Sequence, residues 1–395
     1  MGDSDEEIAE DVLPLTVVEM AVPVELTQLQ PWHKPRKQFI RRDQWGLLSQ
    51  RLIQKLKGNP ALPAQVDGSH EVKYLTLPGS DYLDVEMIAE LAKQDGCVLT
   101  CTGFLAATTN NPIAARAELR QASLIDAEII SKASHTFSRR IEEIAPKGSA
   151  AYRELQTRGP FHIINLDACG SIAPPGAPDN NRMINVIHRL LEYQFAHYSG
   201  RWLLFVTADV RSEQFDEQTI ENLYNAIREN ARTTPAFREA ATAHFGEADA
   251  EFNAALTQFS GAQIDNFMQA FSLGFGKWML ALADAKGWSM KMHRSYCYST
   301  TPANDERATM PCLAFEFVPP DTQLNDPFGI AANNVQAARP SYAELAMRVL
   351  EKVFGMENLD QRLSVNEQEN AELLEETRER LQRAGYTPDV LQALT

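Results

Sequence analysis

The chain has 395 residues, 44% of them hydrophobic and 23% charged, with a formal net charge of −16. That length fits one large domain with additions or two domains, and the charge excludes a surface that coats nucleic acid or anionic membrane along its whole extent. No apolar run approaches the roughly 20 residues that span a bilayer, the acidic start Met1–Glu7 lacks the basic-then-apolar order of a signal peptide, and the five cysteines (Cys97, Cys101, Cys169, Cys297, Cys312) have no paired metal-ligand spacing, so zinc is not expected and reduced thiols in a cytoplasmic setting are.

Residues 1–12 hold six acids and no base, which reads as a solvated tail. Pro14 and Pro23 break the apolar stretch that follows, so 13–30 reads as an irregular lead-in. Residues 31–60 change sign. Lys34, Arg36, Lys37, Arg41 and Arg42 stand against Asp43, with Trp32, Phe39 and Trp45 interleaved. Cations and aromatic rings in this mixture can grip phosphates and stack on bases. The other reading is a docking arm. Ile40, Trp45, Leu48, Leu52, Ile53 and Leu56 fall near helical spacing, predicting a helix from Gln38 to Lys57 with its cations on the wet face.

From residue 71 strands and helices alternate. Val72–Leu77 reads as a strand, Pro78–Asp81 as a turn and Tyr82–Lys93 as a helix. Val98–Thr102 is a second strand ending at Gly103, Ala114–Ala133 is helical in composition, and His135–Phe137 is a short third strand. Asn110 and Asn111 before Pro112 read as a turn. Phe161–Asp167 is a continuous apolar run ending in Asn165 and Asp167, with a small Gly-containing turn directly after. Strands covered on both faces look like this. Their last polar residues project into the crevice beyond the carboxyl end, where open α/β sheets bind ligands. The plainer reading is that Asp167 caps the turn. Met183–Tyr198 is a helix and Arg201–Asp209 another strand, which places Asp209 at the same edge.

Residues 213–286 read as a helical insertion with breaks near Pro235 and Gly246. Trp288–Ser299 and Pro311–Val318 are joined by a loop too short for a crossover helix, so they read as an antiparallel hairpin. Residues 341–355 and 366–384 are helical, the second strongly acidic, and Thr387-Pro388 opens a last short helix. The expected fold is α/β: a mostly parallel sheet built by right-handed crossovers, with a C-terminal antiparallel hairpin, a helical insertion and a helical C-terminal extension. Its divisions are 1–30, 31–60, 61–330 and 331–395.

This layout, with Leu166-Asp-Ala-Cys-Gly-Ser171, resembles the Rossmann-like class I S-adenosylmethionine-dependent methyltransferases. The turn is similar to the Asp-Pro-Phe/Tyr-Gly-Ser of tRNA guanine N2-dimethyltransferases: Asp167, Gly170 and Ser171 keep their places, while Ala168 and Cys169 replace the proline and the aromatic residue. The resemblance spans about residues 70–320 and implies S-adenosylmethionine as cofactor. It places Gly79, Ser80 and Asp81 in the cofactor loop, Thr102 and Gly103 where the family has a ribose-binding acid, and Asp167 and Asn165 over the methyl donor. Lys34, Arg36, Lys37, Arg41 and Arg42 become candidate contacts to a nucleic-acid substrate.

Cys169 reads as packing, with a nucleophile as the alternative. His135, His162, His188 and His197 read as core or surface residues, and Phe267, Phe271, Phe275, Trp278 and Met279 as a core stripe. Nucleophile-elbow, phosphate-loop and zinc-protease motifs are absent. Two functions remain open: a methyltransferase-like enzyme acting on nucleic acid, and a non-catalytic scaffold or interaction subunit whose helical regions hold protein partners.

Overall fold

The segment expected as a helix from Gln38 forms one from Pro35. Lys34 is extended (φ −76°, ψ 152°) and Pro35 takes the first helical position, where its fixed φ suits the turn and its missing N–H costs nothing. Helix α1 (Pro35–Phe39) runs through a π-helical stretch, Ile40–Gly46, into α2 (Leu47–Lys57). The wider turn aims Gln44 at the sheet, where its Nε2 donates to the carbonyls of Arg294 and Cys312.

The computed structural model describes residues 29–57, 70–106, 112–168, 170–245, 264–299, 308–320 and 340–394. The expected tail and lead-in at 1–28, the turn at Asn110 and Asn111, Cys169, the break at Gly246 and the loop 300–307 lie outside them.

The described strands are β1 (His70–Thr76), β2 (Cys97–Phe104), β3 (His135–Phe137), β4 (Ile163–Asp167), β5 (Trp202–Thr207), β6 (Ser289–Met292), β7 (Tyr296–Tyr298), β8 (Met310–Val318) and β9 (Glu357–Asn358). They form one sheet ordered β3-β2-β1-β4-β5-β8-β7-β9, with β6 also on β8. The pairs from β3 to β5 are parallel. β8 is antiparallel to β5, β6 and β7. This is the Rossmann-like, mostly parallel arrangement with a C-terminal antiparallel hairpin. The first limb of that hairpin is two strands rather than one, broken between Met292 and Tyr296, where the carbonyl of Arg294 turns to Gln44. Strand order reverses between β1 and β4, which puts the crevice over Thr76 and Asn165, paired neighbours at that point.

Both faces are covered, and successive side chains serve opposite layers. Ile163, Tyr74, Phe205 and Ala314 face α2, α3 (Leu83–Gln94) and α4 (Pro112–Asp126). Ile164, Leu75, Val206 and Phe315 face the other layer. There lie α5 (Ala150–Arg158), α6 (Met183–His197), α7 (Glu217–Thr233), α8 (Pro235–Phe245), α9 (Ile264–Asp284) and α10 (Tyr342–Phe354). The stripe of Phe267, Phe271, Phe275 and Met279 is core, as its spacing implies.

The C-terminal extension continues with α11 (Leu359–Val365), α12 (Glu367–Arg383) and α13 (Pro388–Gln392). The sequence reading missed α5, α11 and β9, and carried α4 seven residues too far, to Ala133. Glu128 ends that helix at φ 54°. Ile129 N–H donates to Leu124 O and Glu128 N–H to Ile125 O, the pattern that closes helices on a left-handed residue. Ile130 can then bridge to Leu99 on β2. Likewise β2 runs through Gly103 to Phe104 instead of ending at the glycine.

Candidate functional site

Asp167, Asp81 and Asp84 lie beside the crevice, and each already has partners from the chain itself. Asp167, last in β4, accepts a 2.5 Å hydrogen bond from Lys37 Nζ. That ammonium also reaches Tyr298 Oη at 3.3 Å and lies 4.8 Å from the centre of the Trp45 ring. Burial alone would depress the amine, but Asp167 outweighs it and holds Lys37 above the usual lysine range.

Asp81 sits in the turn after β1. The turn is made possible by Gly79 at φ 61°, a conformation other residues adopt at a cost. Tyr82, also left-handed at φ 55°, starts α3. The Asp81 carboxylate is 1% exposed and gathers three segments. Arg116 donates from Nε (2.8 Å) and Nη2 (2.6 Å), Tyr386 from its hydroxyl (3.3 Å), and His33 from Nε2 (3.0 Å). The tautomer of His33 follows from its other nitrogen: the backbone N–H of Gln30 donates to Nδ1, so Nε2 carries the proton. Burial pushes the Asp81 carboxyl up, and His33 and Arg116 overcome it to hold the group at about 2. Burial pushes the His33 imidazole down.

Asp84 accepts from the hydroxyls of Tyr74 (2.6 Å) and Thr76 (2.8 Å). Burial raises its carboxyl despite those bonds. Asn165 Nδ2 donates to the same Tyr74 oxygen, while its Oδ1 is buried without a partner among the described residues. Arg41, 4% exposed, donates through Nη2 to the carbonyl of Trp32, and its Nε and Nη1 have no partner among the described residues.

The expected site residues therefore divide. Asn165 and Asp167 lie at the carboxyl end of β4, and Gly79, Ser80 and Asp81 in the turn after the neighbouring parallel strand β1. Thr102 is buried inside β2. Gly103 serves packing: a Cβ there would meet Thr136 Oγ1 of β3 at 2.2 Å. Asp209 is buried at the end of β5 and held by Arg211 on both oxygens.

The arm cations turn toward the protein. Lys37 and Arg41 are buried, and Lys34 is half-buried. Arg36 donates to Asp360, and Arg42 to Asp43 and Glu376. The expected helix is present, and Arg51, Lys55 and Lys57 stand on its wet face as expected; nearer its start the cations turn inward, Arg41 to the Trp32 carbonyl and Arg42 to Glu376 of α12. Sequence reasoning passed over His33, Tyr74, Arg116, Tyr298 and Tyr386, and weighed Asp84 only as a poorly placed substitute for the ribose-binding acid.

Among solved structures, the chain is similar to a Listeria monocytogenes protein described as a class I S-adenosylmethionine-dependent methyltransferase, with 11% identity and a TM-score of 0.32. The alignment covers 71% of this chain and 61% of that one, so the chain spans less than two thirds of that protein's length. No curated protein matches. Residues 26–395 match the sequence model described as PP_RS20740-like. The chain belongs to the PP_RS20740-like family.

Proposed function

We propose that this protein is a non-catalytic Rossmann-like scaffold, with the methyltransferase-like layout retained and the cofactor crevice given over to internal contacts. The observation that carries this reading is the Lys37–Asp167 pair, supplied by a helix that belongs to the core. Phe39, Ile40 and Trp45 are each at most 2% exposed. Burying each is worth about 1.5–3 kcal/mol, so lifting the helix away would cost roughly 5–9 kcal/mol. That approaches the entire stability of an ordinary domain, about 5–15 kcal/mol. A lid that opened for ligand would be built on weaker contacts.

S-adenosylmethionine does not fit the residues present. The crevice carboxylates Asp81, Asp84 and Asp167 are already bonded to protein groups. The end of β2, Thr102-Gly103-Phe104, offers no carboxylate for ribose hydroxyls, and a neutral acceptor is the weaker partner. One observation favours the enzyme reading. Among the described residues, Arg41 Nε and Nη1 and Asn165 Oδ1 are buried donors and an acceptor without partners, the complement of a ligand's carboxylate and ammonium.

Calorimetry and thermal melting with S-adenosylmethionine and S-adenosylhomocysteine separate the two. A ligand that binds only the folded state at 100 times its Kd stabilises by about 2.7 kcal/mol. No heat and no melting shift at millimolar ligand is the expected result. A saturable shift overturns the scaffold reading and restores the methyltransferase.

A further inference from the structure

Away from the crevice, α9 buries a lysine with no hydrogen-bonding partner among the described residues: Lys277 is 1% exposed, and its Nζ makes no hydrogen bond to them. The amine lies 4.1 Å from the centre of the Tyr342 ring on α10 and 5.8 Å from that of Phe237 on α8. It therefore occupies the seam where three helices meet.

Among the described residues no carboxylate stands within ion-pair distance of it. From α10 the titratable group facing it is Tyr342, whose phenol is raised by burial and by Asp284. From α8 the facing group is the uncharged Phe237. On α6, His188 stacks on the neighbouring Trp278 and not on the amine. A ring face attracts an ammonium, but stripping water from that ion costs more than the ring returns. Burial accordingly brings the amine down to about 7.

We propose that Lys277 is a proton-operated latch for α10: without its extra proton the amine lets α10 seal against α8 and α9, and with it the seal loosens. Opening is rare, since α10 must lift Ala346, Val349, Leu350 and Val353 from the core; in that state the amine meets water and regains an ordinary affinity for protons. The open form then binds one more proton than the closed form between about 7 and 10.5. Closure therefore strengthens as pH rises through that window and is weakest, and flat, below it. α10 leads into the C-terminal extension that supplies Tyr386 to Asp81, so the latch acts where that extension begins.

Hydrogen exchange of amides 342–354, corrected for intrinsic rates, tests this in the intact protein. Protection should rise about tenfold per pH unit from pH 7.5 to 9. Lys277→Met, similar in volume and uncharged, should give higher protection with no slope. Flat protection in the unaltered protein, or the same slope in Lys277→Met, overturns the proposal. Lysine side-chain NMR on the unaltered protein is independent of any variant: a resonance of the 277 amine titrating near 7 supports the latch, and titration near 10 sinks it.

Discussion

Lys37 and Asp167 are 130 positions apart, and their 2.5 Å contact joins the first helix to the tip of the central parallel strand. The ammonium is 3% exposed and the carboxylate 21%. Removing either partner leaves the other charge poorly solvated. Lys37→Met should destabilise the protein by about 2–3 kcal/mol, less than a fully buried pair would lose because Asp167 keeps some water. Adding Asp167→Asn should recover part of that. Urea denaturation of the two single variants and the double variant measures the coupling, and strict additivity would show that the contact carries no energy.

The first helix should behave as core. Trp45 is 1% exposed, its ring centre 6.3 Å from that of Phe205. Trp45→Ala should cost about 3–5 kcal/mol. A loss below 1 kcal/mol, with protease cutting only between α1 and α2, would mean that the segment is a detachable cover.

Gly103 should prove a packing residue. With an added Cβ only 2.2 Å from Thr136 Oγ1, Gly103→Ala should cost about 1–3 kcal/mol by forcing β3 outward. Adding Thr136→Ala removes the clashing oxygen together with its 2.6 Å bond to Tyr82, so the double variant should lose less than the sum of the singles. Unchanged melting of Gly103→Ala would contradict the close approach.

The His33–Asp81–Arg116 cluster predicts an acid limb. Asp81 is held at about 2 against an ordinary 3.8, so its contribution is complete above pH 4 and disappears as pH falls toward 2, amounting to roughly 2 kcal/mol. His33 has a lowered pKa, so the unfolded chain takes up its proton first and stability also falls as pH drops through 6.5. Asp81→Asn should flatten the limb between pH 4 and 2 in a series of denaturation midpoints. An unaltered limb would place the acid sensitivity elsewhere.

Strand β4 was legible because its signal is local. An apolar run with both faces covered, then Asp167 and a small turn, has few other meanings. The hairpin was legible for a similar reason, since a short loop cannot carry a crossover. The break at Met292–Tyr296 was not, because it answers to Gln44, far away in the chain. The same holds for the end of α4, where Glu128 takes a conformation usually left to glycine and only the pull of Ile130 onto β2 explains it.

By itself the sequence determined the alternation of strands and helices, hence the mostly parallel sheet and the edge at which Asp167 and Asp81 emerge, since periodicity and turn chemistry act between near neighbours. Only the tertiary structure decided what those carboxylates touch. His33 lies 48 positions from Asp81 and Tyr386 lies 305 away, and whether a cation meets solvent, nucleic acid or a buried acid depends on which helix packs over it. The basic stretch at 31–60 reads the same in each case, and packing against the sheet turned Lys37 and Arg41 inward while Arg51, Lys55 and Lys57 stayed exposed.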